Sequence, residues 1–152
     1  MKFSLNVKDR DEKLGAFLGN KQQYDCKIWA VIMKNTANLM GKSIYFGSDF
    51  AGLTGDLAGM YCYIGIMNSR LFFSIVDSFN VEKNSYNLIV PFDDLKQVKV
   101  KGGIIPGRKV ILLYFVEDGI MKISVMNNAI GSDINDQKEN ATRFLQLIST
   151  IN

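Results

Sequence analysis

No histidine occurs among the 152 residues of this chain. That removes the commonest general base, the commonest zinc ligand, and every Ser-His or Cys-His nucleophile pair. The remaining chemistry-bearing residues are carboxylates, two cysteines and a local run of basic side chains. Asp93-Asp94 and the pair Asp133 and Asp136 are the close acid groupings. A calcium loop needs more oxygen ligands at tighter spacing, and Asp133-Ile134-Asn135-Asp136 lacks the terminal Glu. These acids read instead as a turn and a helix cap. Gly41-Lys42-Ser43 has the ending of a phosphate loop but Thr36 where that loop requires glycine, so it reads as a turn. Asn140-Ala141-Thr142 matches a glycosylation sequon within a predicted helix and is discounted. No catalytic, cofactor or metal site is assigned, and the expectation is a non-enzyme.

The feature that stands out is electrostatic. Between Lys96 and Lys109 lie Lys96, Lys99, Lys101, Arg108 and Lys109, with no acid. The chain as a whole carries +3, so everything outside this stretch is net negative. Within it, Gly102-Gly103-Ile104-Ile105-Pro106-Gly107 reads as a loop with two β-branched apolar residues at its tip. Loop tips are usually polar. An apolar tip collared by Lys99, Lys101, Arg108 and Lys109 suits an anionic membrane interface. A tip that folds onto the body or packs on a partner is the favoured reading, and edge lysines also guard against aggregation. Stacking of Tyr61, Tyr63, Phe72 and Phe73 on nucleic acid is set aside, because their strands are apolar on both faces.

The elements that must hold these residues follow from periodicity. Val7 to Gly19 is predicted as a short helix with Leu14, Phe17 and Leu18 on one face. Its charged run Lys8-Asp9-Arg10-Asp11-Glu12-Lys13 reads as a solvated face. Cys26 to Met33 is a strand apolar on both sides, implying burial on both. Lys34 to Gly59 gives little beyond a short strand at Ser43 to Phe46. Met60 to Met67 and Arg70 to Asp77 form a hairpin about Asn68-Ser69. Asn87 to Pro91 and Gln97 to Lys101 are strands, the second with Val98 and Val100 inward and Gln97, Lys99 and Lys101 outward. Lys109 to Glu117 and Ile120 to Met126 form a hairpin about Asp118-Gly119. Asp136 to Ile151 is an amphipathic helix with Phe144, Leu145, Leu147, Ile148 and Ile151 as its stripe, capped by Asp133, Asn135 or Asp136. Strands followed by one helix argue antiparallel β with a covering helix.

The segments Tyr61-Cys62-Tyr63-Ile64-Gly65-Ile66-Met67-Asn68-Ser69-Arg70-Leu71-Phe72-Phe73-Ser74 and Ile89-Val90-Pro91-Phe92-Asp93-Asp94-Leu95-Lys96-Gln97-Val98, with the terminal Phe144-Leu145-x-Leu147-Ile148, resemble bacterial PH-like and GRAM-type domains. The likeness spans about Met60 to Ile151, and it departs at Met67, where the family carries Thr. It implies a mainly β, PH-like barrel of about seven antiparallel strands in two near-orthogonal sheets, capped by the C-terminal helix. It also implies binding or scaffolding, not catalysis. Relatives that bind phosphoinositides use basic residues of the first hairpin loop. Only Lys34 and Lys42 flank that loop here, so no such site is carried over.

One domain is therefore expected over residues 1–152, with a helical extension over 1–20 and the C-terminal helix over 136–151. Cys26 and Cys62 sit in apolar runs as small hydrophobes. Sparse cysteine and the lack of an apolar leader after Met1-Lys2 point to the cytoplasm, with peripheral membrane contact as the alternative. The expected partners are a protein or a second copy, an anionic membrane surface being the other candidate. No nucleic acid or small-molecule substrate is expected.

Overall fold

The computed structural model describes residues 5–19, 21–32, 60–76, 84–102, 107–117, 119–127 and 132–151. Its elements are β1 (Leu5–Asn6), α1 (Val7–Gly15), β2 (Cys26–Ile32), β3 (Met60–Met67), β4 (Arg70–Val76) and β5 (Asn84–Pro91). A 3-10 turn (Phe92–Asp94) leads to β6 (Leu95–Gly102), β7 (Arg108–Phe115), β8 (Ile120–Met126), β9 (Ser132–Asp133) and α2 (Gln137–Ile148). The strand expected at Ser43 to Phe46 and the segment Lys34 to Gly59 lie outside the described residues.

Seven strands form one antiparallel sheet in the order β5-β4-β3-β2-β8-β7-β6. The two edge strands, β5 and β6, are consecutive in sequence. In a flat sheet six inter-strand steps would hold them roughly 29 Å apart. The linker Phe92–Asp94 reaches at most about 14 Å. The sheet must therefore curl until its edges approach at this corner. The corner is pinned from both halves: Phe92 N–H donates to the Ser69 carbonyl (2.9 Å), and Val116 N–H donates to the Asp94 carbonyl (2.9 Å). Asn68 and Ser69 take positive φ of 51° and 56°, the primed turn whose twist matches a two-residue hairpin.

Curling gives the sheet two unlike faces. The inner face gathers Ile28, Ile64, Phe73, Val90, Ile111, Leu113 and Ile123, and α2 closes it with Ala141, Phe144 and Ile148. The outer face over β2, β3 and β4 carries Trp29, Tyr63 and Val76, covered by Leu14 of α1. Burial of β2 on both sides, expected from its doubly apolar pattern, is thus accounted for by one helix on each face. β1 and β9 pair in parallel through Leu5↔Ser132 and Asn6↔Asp133, joining the two ends of the chain.

Among the described residues β2 and β8 pair through Val31↔Ser124 and Ile32↔Ile123. Below that point the strands part, and α2 supplies the missing partners. Trp29 N–H donates to Gln137 Oε1 (3.1 Å), and Gln137 Nε2 donates to the carbonyls of Trp29 and Met126 (both 2.9 Å). Lys27 N–H donates to Asn140 Oδ1 (3.0 Å). Gln137 is 1% exposed, and its amide stands in for a strand. Asn140 is held at both ends, its Nδ2 donating to the Asp136 carbonyl (3.1 Å), which is the structural content of the discounted sequon.

The N-terminal helix is shorter than its pattern predicts. It stops at Gly15, not Gly19. The Tyr24 hydroxyl donates to the Leu14 carbonyl (2.5 Å), satisfying one of the carbonyls a helix end leaves open. Phe17 turns away to meet the Phe72 ring at 5.3 Å. Gly65 lets Tyr24 lie flat on β3: a Cβ there would sit 2.5 Å from the ring.

Gln137→Ala leaves two carbonyls and one N–H of β2 and β8 without their partners. At about 1–3 kcal/mol per unsatisfied buried group, less any rescue by water, we expect a loss of about 3 kcal/mol in urea denaturation, with the transition remaining cooperative.

Candidate functional site

The three strands β6, β7 and β8 carry Lys96, Lys99, Lys101, Arg108, Lys109 and Lys122 and no acidic residue. Strand register decides which of these act together. Lys99↔Leu112↔Lys122 form one row across the outer face, and Lys101↔Val110↔Ser124 form the next. Arg108 lies in the row beyond, opposite Met126, and its Nε donates to Ser124 Oγ (2.8 Å). The Lys99 ammonium stands 5.5 Å from the centre of the Tyr114 ring, close enough for a cation–π contact that holds it over the sheet. Lys99, Lys101, Arg108 and Lys122 therefore share one basic face.

Lys109 does not join them. It pairs with Val125, which belongs to the inner face, so its side chain leaves on the opposite side of the sheet. Ile104 and Ile105 lie outside the described residues. Lys122 was missed because it is 13 residues beyond the basic run. The period-two register of the hairpin about Gly119 is the signal that places it opposite Leu112. Val100 follows the inward alternation, opposite the buried Ile111. It is nevertheless 43% exposed, because β6 is an edge with no strand beyond it among the described residues.

The charged run of α1 departs most from expectation. It reads as a solvated face, yet Arg10 is 2% exposed and Lys13 is buried as well. A guanidinium taken from water must be paired. Arg10 grips Asp136 with two bonds, Nη1 to Oδ1 (2.7 Å) and Nη2 to Oδ2 (3.1 Å), while its Nε donates to Asp11 (3.0 Å). Lys27 reaches the same Asp11 oxygen at 2.8 Å. Lys13 pairs with Asp9, which also accepts from the Tyr63 hydroxyl (2.7 Å). Asp136 consequently makes no side-chain cap of α2; its carboxylate is committed to Arg10. The side-chain cap belongs to α1, where Asn6 Oδ1 accepts from Asp9 N–H (2.7 Å). Burial opposes charge on Arg10, but Asp136 and Asp11 outweigh it and raise its pKa. Burial would raise Asp11, yet the hydrogen bonds from Lys27 and Arg10 prevail and hold it below its ordinary value.

The remaining titratable groups of the interior are silenced by burial. The Cys26 thiol is pushed up to about 12 and Cys62, fully enclosed, is pushed up strongly as well. Tyr24 rises to about 12 through burial, and Tyr63 rises through burial and its bond to Asp9. Trp29 Nε1 and Ser74 Oγ are buried with no hydrogen-bond partner among the described residues. They flank Tyr63 in one cross-strand row of the outer face. Among the described residues no group of three or more metal-ligating side chains comes together, and no helix is long and apolar enough to cross a membrane.

No family model matches the chain, and no curated protein matches it. Among solved structures it is similar to the hSac2 domain from human phosphoinositide phosphatase Sac2, at 12% identity and a TM-score of 0.49, over 92% of this chain and 78% of that one. A likeness of that extent carries nothing about what this chain binds or does.

Three outcomes follow. Asp136→Ala leaves buried Arg10 without its bidentate partner, whereas Arg10→Met removes the charge and leaves Asp136 hydrated. We expect the first to lose about 3 kcal/mol and the second clearly less, and Asp136→Ala to cost little in the Arg10→Met background, all read by urea denaturation. Because Asp11 is depressed in the fold, its contribution is present above its ordinary value of 3.8 and is lost as pH falls through the folded value. The thiolate is the reactive form of cysteine, so Cys26 and Cys62 should resist a thiol-specific disulfide reagent at neutral pH and react together on unfolding.

Proposed function

We propose that this chain is a non-catalytic interaction module, built on a PH-like barrel, that engages an acidic partner protein through the outer face of β6, β7 and β8. The observation that carries this reading is that these strands hold six basic residues and no acid, four of them on one face. Such a face attracts and orients an oppositely charged surface and sets on-rate and specificity more than raw affinity. Support for the barrel comes from the corner joining edge strands β5 and β6 and from α2 lying across the inner face. The parting of β2 and β8 at Trp29 and Met126, bridged by Gln137, favours reading the four-stranded and three-stranded halves as two near-orthogonal sheets. Free, buried Cys26 and Cys62 accord with a reducing compartment such as the cytoplasm.

The test uses poly-glutamate as a probe of acidic protein segments, titrated at about 0.1 M and about 1 M salt, where the Debye length falls from roughly 10 to 3 Å. Vesicles of neutral and of anionic lipid are co-sedimented in parallel. The expected result is poly-glutamate binding that is weakened by salt and lost in Lys99→Glu/Lys101→Glu/Lys122→Glu. Binding to anionic vesicles alone overturns the protein reading in favour of the membrane surface. Binding to neither probe overturns the assignment of the basic face as a binding surface.

A further inference from the structure

The basic face ends at a strand with no further strand beside it among the described residues. Among those residues β6 pairs only with β7, and six of its eight residues are exposed. An exposed strand edge presents unpaired backbone N–H and C=O groups, and a second extended chain can complete them. The usable stretch is delimited. Register shifts between Leu95 and Gln97, so Lys96 is the extra residue of a bulge that interrupts the edge at its start. From Gln97 to Gly102 the alternation is regular.

Within that stretch the side chains follow a pattern. Lys99 and Lys101 stand on the outer face, and Val100 between them stands on the inner face, 43% exposed. A strand laid alongside places its own residues alternately against these two faces. We propose that the free edge of β6 takes up an extended acidic segment of a partner protein as an eighth strand, reading an acid–apolar–acid alternation against Lys101, Val100 and Lys99. This inference rests on the acidic-partner reading above and makes it specific.

The charges also say what does not belong there. Two β6 edges brought together antiparallel would set Lys99 and Lys101 of one copy against those of the other, and like charges directly opposite are destabilising. The other edge, β5, carries no acid from Asn84 to Pro91, so a second copy adding through β5 brings no opposite charge. An acidic strand from a different protein satisfies both the backbone and the lysines.

The probe is a synthetic peptide of alternating Glu and Val, labelled for fluorescence anisotropy, with amide hydrogen exchange of the whole protein measured with and without it. The expected result is binding, with protection appearing on alternate amides between Gln97 and Gly102. Lys99→Glu/Lys101→Glu should weaken it about tenfold or more and should instead bind a Lys–Val peptide. Both lysines are exposed, so the thermal midpoint of the variant serves as the folding control. A Glu–Val peptide N-methylated on alternate amides should fail to bind. If the methylated peptide binds equally well, or protection appears away from β6, strand addition is overturned. If Glu–Val fails while poly-glutamate still binds, this inference falls and the acidic-partner reading stands. If both fail, the reading falls with it.

Discussion

The structure depends on a two-atom substitution: the side-chain amide of Gln137 acting as a length of backbone. Among the described residues the sheet is continuous across β2 and β8 for two residue pairs. Toward Trp29 and Met126 the strands diverge, leaving N–H and C=O groups of a buried strand without a strand partner. Backbone polar groups buried in that way are rarely tolerated unpaired. Gln137 and Asn140, one turn apart on α2, answer them from the side. The helix is therefore more than an apolar lid on the inner face. Its first turn is spliced into the sheet, and the position of the whole helix is set by hydrogen-bond geometry that an apolar stripe alone cannot specify.

The same turn anchors the other end of the chain. Asp136, immediately before Gln137, holds Arg10 of α1 with both carboxylate oxygens, and β1 pairs with β9 just upstream. Helix α1 is only nine residues long and polar for most of its length, too short to be stable alone. It persists because its charges are paired across the fold and its Leu14 is buried on the outer aromatic row. The two termini thus grip opposite faces of β2, and each helps to place the other.

Charge is divided between two tasks in this molecule. Of the mixed charges of α1, Arg10 and Lys13 are buried and paired with acids, while Lys8, Asp11 and Glu12 stay exposed. The charges of β6, β7 and β8 are of one sign, with no acidic residue in those strands, and most lie on one face. A short mixed cluster and a one-sign run look similar as sequence, but burial converts the first into structure and leaves the second as a surface.

What the residues alone determined was everything written with a short period. The hairpins about Asn68-Ser69 and Gly119, the alternation along β6, the terminal helix and the doubly apolar β2 all follow from local spacing, because a side chain's face is fixed by its position in the strand or helix. The basic run was equally legible. What only the tertiary structure decided was which distant residues meet. Arg10 and Asp136 are 126 positions apart and Trp29 and Gln137 are 108 apart, so no window of sequence contains both members. Lys122 joins the basic face, and Lys109 leaves it, through pairing register across two hairpins. Long-range contact carries no local pattern of its own: a charge reads as solvated until a partner from the far end of the chain makes its burial possible.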